Sequence, residues 1–425
     1  MTFNIIIAIA IALLSLAAAY IFTPSDKYRP IYAFAVFIAI LARMCMVFYI
    51  YRNGTGSFGT DGLLYHQEGM EAASELDGGA SIFSVGYDYT WYTVFVGLIY
   101  HLFGVNRYLA SFVNIALTAA SGLILLRLAL NHKYRFTNAA LISLVFLFFP
   151  NLLLWTADSR KEALLIFACF LVWLTVQNFT VSVRRGVGSP VPDLIRILLI
   201  CLFMWFSTLI RIYMFIPIFL GVVTSQAILY IKTKRRLCLV MAAASAVCAL
   251  LIFLIVVCPL TDNYHALNFS TKQSENMVQD VHNKISAVGT IASKRNILES
   301  VFEYLILPLP GKLDINDIKG SPKTQLLVRM DMTVWYVCLL LVLTGIYTTL
   351  KKRDSCFMGL LAFIAAYILI NALVVENVSD TIYRYRSVIV GLVILFIDGG
   401  AIREIGRRLG NLVKGYAAGN WMYRN

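Results

Sequence analysis

About eleven runs of apolar residues, each long enough to cross roughly 30 Å of hydrocarbon as a helix, punctuate this chain. They fall at 3–22, 30–51, 108–130, 138–154, 163–180, 192–210, 212–231, 238–260, 333–350, 356–376 and 387–402. In lipid such a segment satisfies its backbone by forming an α-helix, with every amide bonded inside the segment. The expected fold class is therefore all-α, a polytopic membrane protein with 1–425 as a single integral membrane domain. Composition agrees: 60% of residues are hydrophobic and 14% charged, more apolar surface than a soluble domain can hide. The first run has no basic leader and no small-residue cleavage site, so it reads as a retained span rather than a removed signal.

One further apolar run, 89–105, is shorter and holds Trp91, Tyr92, Tyr100 and His101. The charges decide how it lies. The formal net charge is +13, which on a soluble chain would suggest nucleic acid but on a membrane chain points to basic cytoplasmic loops. If 89–105 lies in the interface and does not cross, every basic connection falls on one face. These are Lys27/Arg29, Arg127/Lys133/Arg135, Arg184/Arg185, Lys232/Lys234/Arg235/Arg236, Lys351/Lys352/Arg353 and the tail 403–425 with Arg403/Arg407/Arg408. The positive-inside rule then holds throughout, and the aromatic content suits an interfacial helix. Two large segments are left on the external face, the acidic loop 53–107 with its juxtamembrane helices and the mixed loop 261–332.

Unusual polar residues gather at the external ends of the spans, where ionisable groups are functional candidates. Asp61 follows a Gly-rich stretch (Gly54, Gly56, Gly59) and opens a run that is expected to be helical, with Tyr65, His66 and Glu68 in its first turns. Asp61 reads either as an N-cap or as a general base for an acceptor hydroxyl. Glu71, Glu75 and Asp77 read as a wet helix face. Asp158, Arg160, Lys161 and Glu162 sit at the mouth of a helical hairpin, where they either pair among themselves or wall a site. Arg211 lies between two apolar runs, placed for phosphate binding or for an acidic partner. In Tyr383-Arg384-Tyr385-Arg386 two guanidinium forks alternate with tyrosines. This arrangement is suited to a lipid-linked phosphate or to interfacial anchoring.

The eight cysteines lie in or at the ends of apolar runs with no CxxC spacing, and His66 and His101 have no partners at metal-ligand spacing. No disulfide frame and no zinc site are therefore expected. The chain carries no P-loop, no G-x-S-x-G and no dinucleotide fingerprint. No cofactor is called for, although the acidic loop leaves room for a divalent cation.

The motif Asp61-Gly-Leu-Leu-Tyr65 leading into Glu68 and Ala72 resembles the acidic first-loop motif of the GT-C glycosyltransferases, whose catalytic aspartate would map onto Asp61. The closest branch in style is that of the protein O-mannosyltransferases and aminoarabinose transferases. The stretch from Tyr92 to Gly104, followed by Asn106-Arg107-Tyr108, resembles the family's juxtamembrane helix, and Phe149-Pro150-Asn151 through Asp158 and Glu162 its next external turn. Leu307-Pro-Leu-Pro310 and Asp380 to Arg386 resemble elements of a bacterial subset. The sequence departs from the pattern at Gly62, where a second acidic residue commonly stands, and in one extra span before Asp61.

The resemblance implies a GT-C-like fold and an inverting hexosyltransferase of the cell envelope. The enzyme would take sugar from a polyprenyl-phosphate-linked donor to a glycan, lipid or protein acceptor, with membrane lipid and no nucleic acid as its surroundings. It would lie in the cell (inner) membrane with its site on the external, periplasmic side and the C-terminus cytoplasmic. Two rivals remain open. A polysaccharide polymerase or O-antigen ligase would rely on loop 261–332 and on arginines. A non-enzymatic lipid or polysaccharide transporter would carry ionisable residues in mid-span around broken helices.

Overall fold

A computed structural model describes residues 2–52, 61–88, 90–186, 190–257, 297–307, 322–374 and 379–400, together with Ile402 and Arg407. Among them every regular element is helical. The chain opens with α1 (Thr2–Phe22) and α2 (Arg29–Arg52), then three helices of the first loop, α3 (Asp61–Asp77), α4 (Ile82–Asp88) and α5 (Trp91–Phe103). It continues through α6 (Arg107–Asn131), α7 (Phe136–Phe148), α8 (Pro150–Trp155), α9 (Glu162–Arg185), α10 (Pro190–Ile210), α11 (Phe215–Thr233) and α12 (Arg236–Val257). The described remainder is α13 (Ile297–Ile306), α14 (Pro322–Lys352), α15 (Ser355–Val374) and α16 (Ser379–Ile394). Most of the tail 403–425 and of the loop 261–332 lies outside the described residues.

Nine of these helices are long and apolar enough to cross a membrane: α1, α2, α6, α9, α10, α11, α12, α14 and α15. The protein is thus an all-α, multi-pass membrane protein. Two of the expected eleven spans take another form. The run 387–402 is served by α16, which starts earlier and has 16 residues. The run 138–154 is broken into α7 and α8 at Phe149-Pro150, because proline has no N–H to continue the ladder. The break frees the Leu147 carbonyl and the Asn151 amide, which would otherwise bond to each other. The Arg43 guanidinium takes the Leu147 carbonyl, and the Asp331 carboxylate accepts from the Asn151 N–H at 2.7 Å. Both side chains are fully buried. A cation therefore meets the C-terminal end of α7 and an anion the N-terminal end of α8, each the sign the helix dipole favours.

The connectivity of the ends places α5. Tyr51, in the last turn of α2, bonds Ser111 of α6 at 2.6 Å and packs edge-on against Tyr108 at 4.9 Å. Arg107 lies over the same ring at 4.5 Å. The chain thus leaves α2 and enters α6 at the same end of the bundle, so the 13-residue α5 does not cross between them. The opposite end gathers the basic turns. Arg184 reaches Asp354 at 3.4 Å and Ser355 at 2.9 Å, and Lys232 Nζ donates to the Arg353 carbonyl at 2.5 Å. His132 stacks on Phe357 at 3.5 Å, and Tyr28 stacks on Phe136 at 5.8 Å. The basic groups around 27–29, 133–135, 184–185, 232–236 and 351–353 therefore share one end, as their charge pattern required.

Candidate functional site

At the other end, α3 and α5 pack side by side and run parallel, with α4 as the return. The buried face of α3 follows helical spacing through Gly62, Tyr65, Gly69, Ala72, Ala73 and Leu76. The approach is close: a Cβ on Gly69 would sit 2.6 Å from Val96, and one on Gly97 would sit 2.7 Å from Ala72. Three of the expected site residues are engaged in this packing. Tyr65 meets Tyr92 edge-on at 4.9 Å. His66 Nδ1 lies 2.9 Å from the Tyr100 hydroxyl, and Glu68 accepts from Thr93 Oγ1 at 2.8 Å. Burial, with the Arg107 charge in second place, lowers the His66 pKa. Burial also raises that of the Tyr65 phenol, so it stays protonated. This pairing leaves Asp61, at the head of α3, as the carboxylate the module presents to the bundle.

The turn between α8 and α9 meets it. Asp158 accepts from the Ser159 N–H at 2.8 Å and from Arg160 Nε at 3.0 Å, and Arg160 lies over the Trp155 ring at 4.6 Å. Asn114, buried on α6, holds the turn by its amide, which donates toward the carbonyls of Asp158 at 2.9 Å and Arg160 at 2.8 Å and toward Tyr92 at 3.1 Å. A Cβ on Gly62 would stand 2.7 Å from Asp158 Oδ2. The missing side chain after Asp61 is what lets this second carboxylate press against the head of α3.

Inward from Asp61 runs a chain of alternating charges. The Arg384 guanidinium of α16 bonds Asp61 through Nη1 and Glu162 through Nε at 2.5 Å. Glu162 Oε1 also receives Arg211 Nη2 at 3.4 Å. The side chains are most exposed at the outer end, 38% at Asp61 and 15% at Arg384, and buried at the inner end, 0% at Glu162 and 4% at Arg211. Arg211 is seated on the Tyr385 ring at 4.0 Å and donates to the Tyr367 hydroxyl at 3.4 Å. Tyr367 in turn donates to the Tyr385 carbonyl at 2.8 Å. Glu162 is the first residue of α9, where the helix dipole favours a carboxylate. Its second oxygen is buried with no hydrogen-bond partner among the described residues.

Lys161 stands beside this series, and no carboxylate pairs with it among the described residues. Burial, followed by the Arg211 charge, pulls its ammonium down to about 8 from 10.5. The internal pairing expected of 158–162 is therefore split: Asp158 takes Arg160, while Glu162 turns to arginines 49 and 222 residues away. The cluster sets four cations (Arg160, Lys161, Arg211 and Arg384) against three carboxylates (Asp61, Asp158 and Glu162), which suits it to an anionic ligand with a carboxylate at its rim.

Arg386 points elsewhere. Fully buried, it donates to the Tyr304 carbonyl at 2.7 Å and to the Leu307 carbonyl and lies over Trp335 at 5.1 Å. The Tyr383 side chain lies outside the described residues. Sequence reasoning did not single out Asn114, Tyr367, or Arg43 and Asp331 as the groups that meet the α7–α8 break, since these roles depend on partners far away in the chain. A polar residue inside an apolar run was the available signal for Asn114 and for Asp331 at its edge. Among the described residues no group of three or more His, Cys, Asp or Glu side chains is placed to hold a metal ion. Compared with protein-family models, with curated proteins and with solved structures, the chain matches none.

Proposed function

We propose that the chain is a GT-C-type membrane glycosyltransferase, which moves a sugar from a polyprenyl-phosphate-linked donor to an acceptor hydroxyl. The reaction is placed on the external face of the cell membrane, at the end of the bundle away from the basic turns. The observation that carries the reading is the graded series Asp61–Arg384–Glu162–Arg211, with the one part-exposed carboxylate outermost and guanidinium groups behind it. In the proposed reaction Asp61 accepts the proton of the acceptor hydroxyl, whose oxygen attacks the anomeric carbon as the bond to the donor phosphate breaks. Arg384, Arg211 and Lys161 receive the negative charge that builds on the departing phosphate. Arg384 binds Asp61. A phosphate arriving at Arg384 competes for the same guanidinium and releases the carboxylate when the acceptor needs it. A single displacement of this kind inverts the anomeric centre.

The broken helix α7–α8, with Arg43 and Asp331 inside spans, is the feature a transporter would share. Here both side chains satisfy the backbone at the break, so the feature weighs less than the charge series at the end of the bundle. The test is transfer from radiolabelled polyprenyl-phosphate sugars in membranes, comparing wild type with Asp61→Asn and Arg384→Ala. Loss of transfer in both supports the reading. Full activity in Asp61→Asn sinks the base assignment, and activity lost only in arginine and late-loop variants favours the polymerase or ligase.

A further inference from the structure

The C-terminal end of α13 has four carbonyls with no helical partner, as every helix end does. All four are taken by side chains of two other helices. Trp335 Nε1 donates to the Leu305 carbonyl at 2.8 Å and the Tyr336 hydroxyl to the Ile306 carbonyl at 2.5 Å. Arg386 Nη2 serves the carbonyls of both Tyr304 and Leu307. The positive guanidinium also faces the negative end of the helix dipole. A ten-residue helix is marginal alone. The outward residues of α13 are apolar and exposed (Leu298 at 76%, Phe302 at 62%), while Ser300 and Tyr304 are buried. The buried Tyr304 lies within electrostatic reach of Arg386 and Arg211. Its hydroxyl has no hydrogen-bond partner among the described residues.

We infer that Arg386 is a positioning residue. It plugs the end of α13 into a socket completed by Trp335 and Tyr336, and so holds Tyr304 as a fixed wall beside the Arg211 cluster. A phosphate-binding Arg386 would have to leave the Tyr304 and Leu307 carbonyls without a donor in an apolar setting, where an unmade hydrogen bond is costly. The anchoring itself stands apart from the proposed activity; only its effect on transfer rests on that reading.

The experiment uses full-length protein in lipid nanodiscs and measures amide hydrogen exchange over 297–307, together with transfer kinetics in the same preparation. Arg386→Lys retains the charge but not the fork, and Tyr336→Phe removes the donor to the Ile306 carbonyl. The expected result is exchange over 297–307 faster by tenfold or more in Arg386→Lys and by a smaller factor in Tyr336→Phe. Exchange in α3 and α9 should stay at the wild-type rate. The Michaelis constant for the polyprenyl-phosphate sugar rises in the same order, with kcat held within about twofold. An Arg386→Lys protein with wild-type exchange over 297–307 overturns the inference. So does a Tyr336→Phe protein with wild-type exchange and kinetics beside an Arg386→Lys protein that has lost donor binding, since that pattern belongs to a ligand-binding arginine. If no variant and no wild type transfers sugar, the functional proposal fails while the exchange result still decides the anchoring.

Discussion

The two ends of this bundle handle charge in opposite ways. At the end carrying Asp61, Glu162, Arg211 and Arg384, charges are taken out of solvent and matched to one another over separations of hundreds of residues. At the basic end, cations terminate helices and face water. Lys133, Lys234 and Arg353 even take up left-handed backbone at the ends of α6, α11 and α14, where lysine and arginine hold no conformational advantage. Burying charges costs several kcal/mol per ion unless geometry repays it. Cations on helix C-termini in water gain only about 0.3–1 kcal/mol. An end that bears the larger cost is organised around something other than stability, which is why the candidate site is placed there.

The sharpest way to break the comparison is Glu162→Ala. The variant strands Arg211 and Arg384 in the bundle without their shared carboxylate, and breaking such a pair costs about 3–5 kcal/mol. Thermal unfolding in detergent should fall steeply, with Glu162→Gln intermediate because the amide oxygen still accepts. A loss under about 1 kcal/mol would mean that the series behaves as a wet surface pair, and the two ends would then be alike.

Gly62→Ala probes the seam between α3 and the 158–162 turn. The new methyl would meet Asp158 Oδ2 at 2.7 Å, and that carboxylate is pinned by Ser159 and Arg160. Overpacking of this kind costs about 1–3 kcal/mol, and displacement of Asp158 should lower transfer along with stability. Unchanged unfolding and unchanged transfer would show that the seam is slack.

Lys161 offers a test that leaves the packing alone. Its folded-state pKa lies near 8, against 10.5 for an ordinary lysine. The folded protein therefore gives up this proton first, and the group's own contribution to stability rises with pH from about 8 to 10.5. Anion binding runs the other way: if the ammonium contacts the donor phosphate, transfer should decline about tenfold for each pH unit above the midpoint. Lys161→Arg should remove that alkaline limb. Reductive methylation followed by mass spectrometry reads the amine's titration directly, and a midpoint near 10.5 would refute the depressed pKa.

How far the site could be read in advance follows from where each signal resides. The spans are local composition, and the shared basic end follows from alternating their directions, so both were legible. The non-crossing of α5 followed from the same charges and is now explained by Tyr51 meeting Tyr108 and Ser111. Asp61, Glu162, Arg211 and Arg384 stood out as ionisable groups at the external ends of the spans, away from the basic turns, where burying them is costly. Their pairing was not legible, since nothing local to Glu162 says that its partner lies 222 residues away. Lys161, next door, looked the better match. Arg384 and Arg386 looked equivalent in a Tyr-Arg-Tyr-Arg motif. Only packing separates them, because residues two apart on a helix point in different directions. Pro150 stood inside the run 138–154, which read as one unbroken span, and nothing local named the Arg43 and Asp331 that meet the broken ends.

The smallest expected effect belongs to the basic end, at Lys133. The turn after α6 closes with Tyr134 N–H to the Ala129 carbonyl at 3.2 Å and Lys133 N–H to the Leu130 carbonyl at 2.9 Å, the paired bonds of a Schellman cap. Lys133 holds φ at 68°, a conformation that costs an L-residue about 1–2 kcal/mol. Lys133→Gly removes that cost and keeps both backbone bonds. It gives back about 0.5–1 kcal/mol in chain entropy and about 0.3–1 kcal/mol of cation–dipole attraction. These terms nearly cancel, so the unfolding temperature should move by no more than a degree or two and transfer should be unchanged. A large loss of transfer in Lys133→Gly would show that the basic end takes part in the reaction, and the division of labour between the two ends would have to be abandoned.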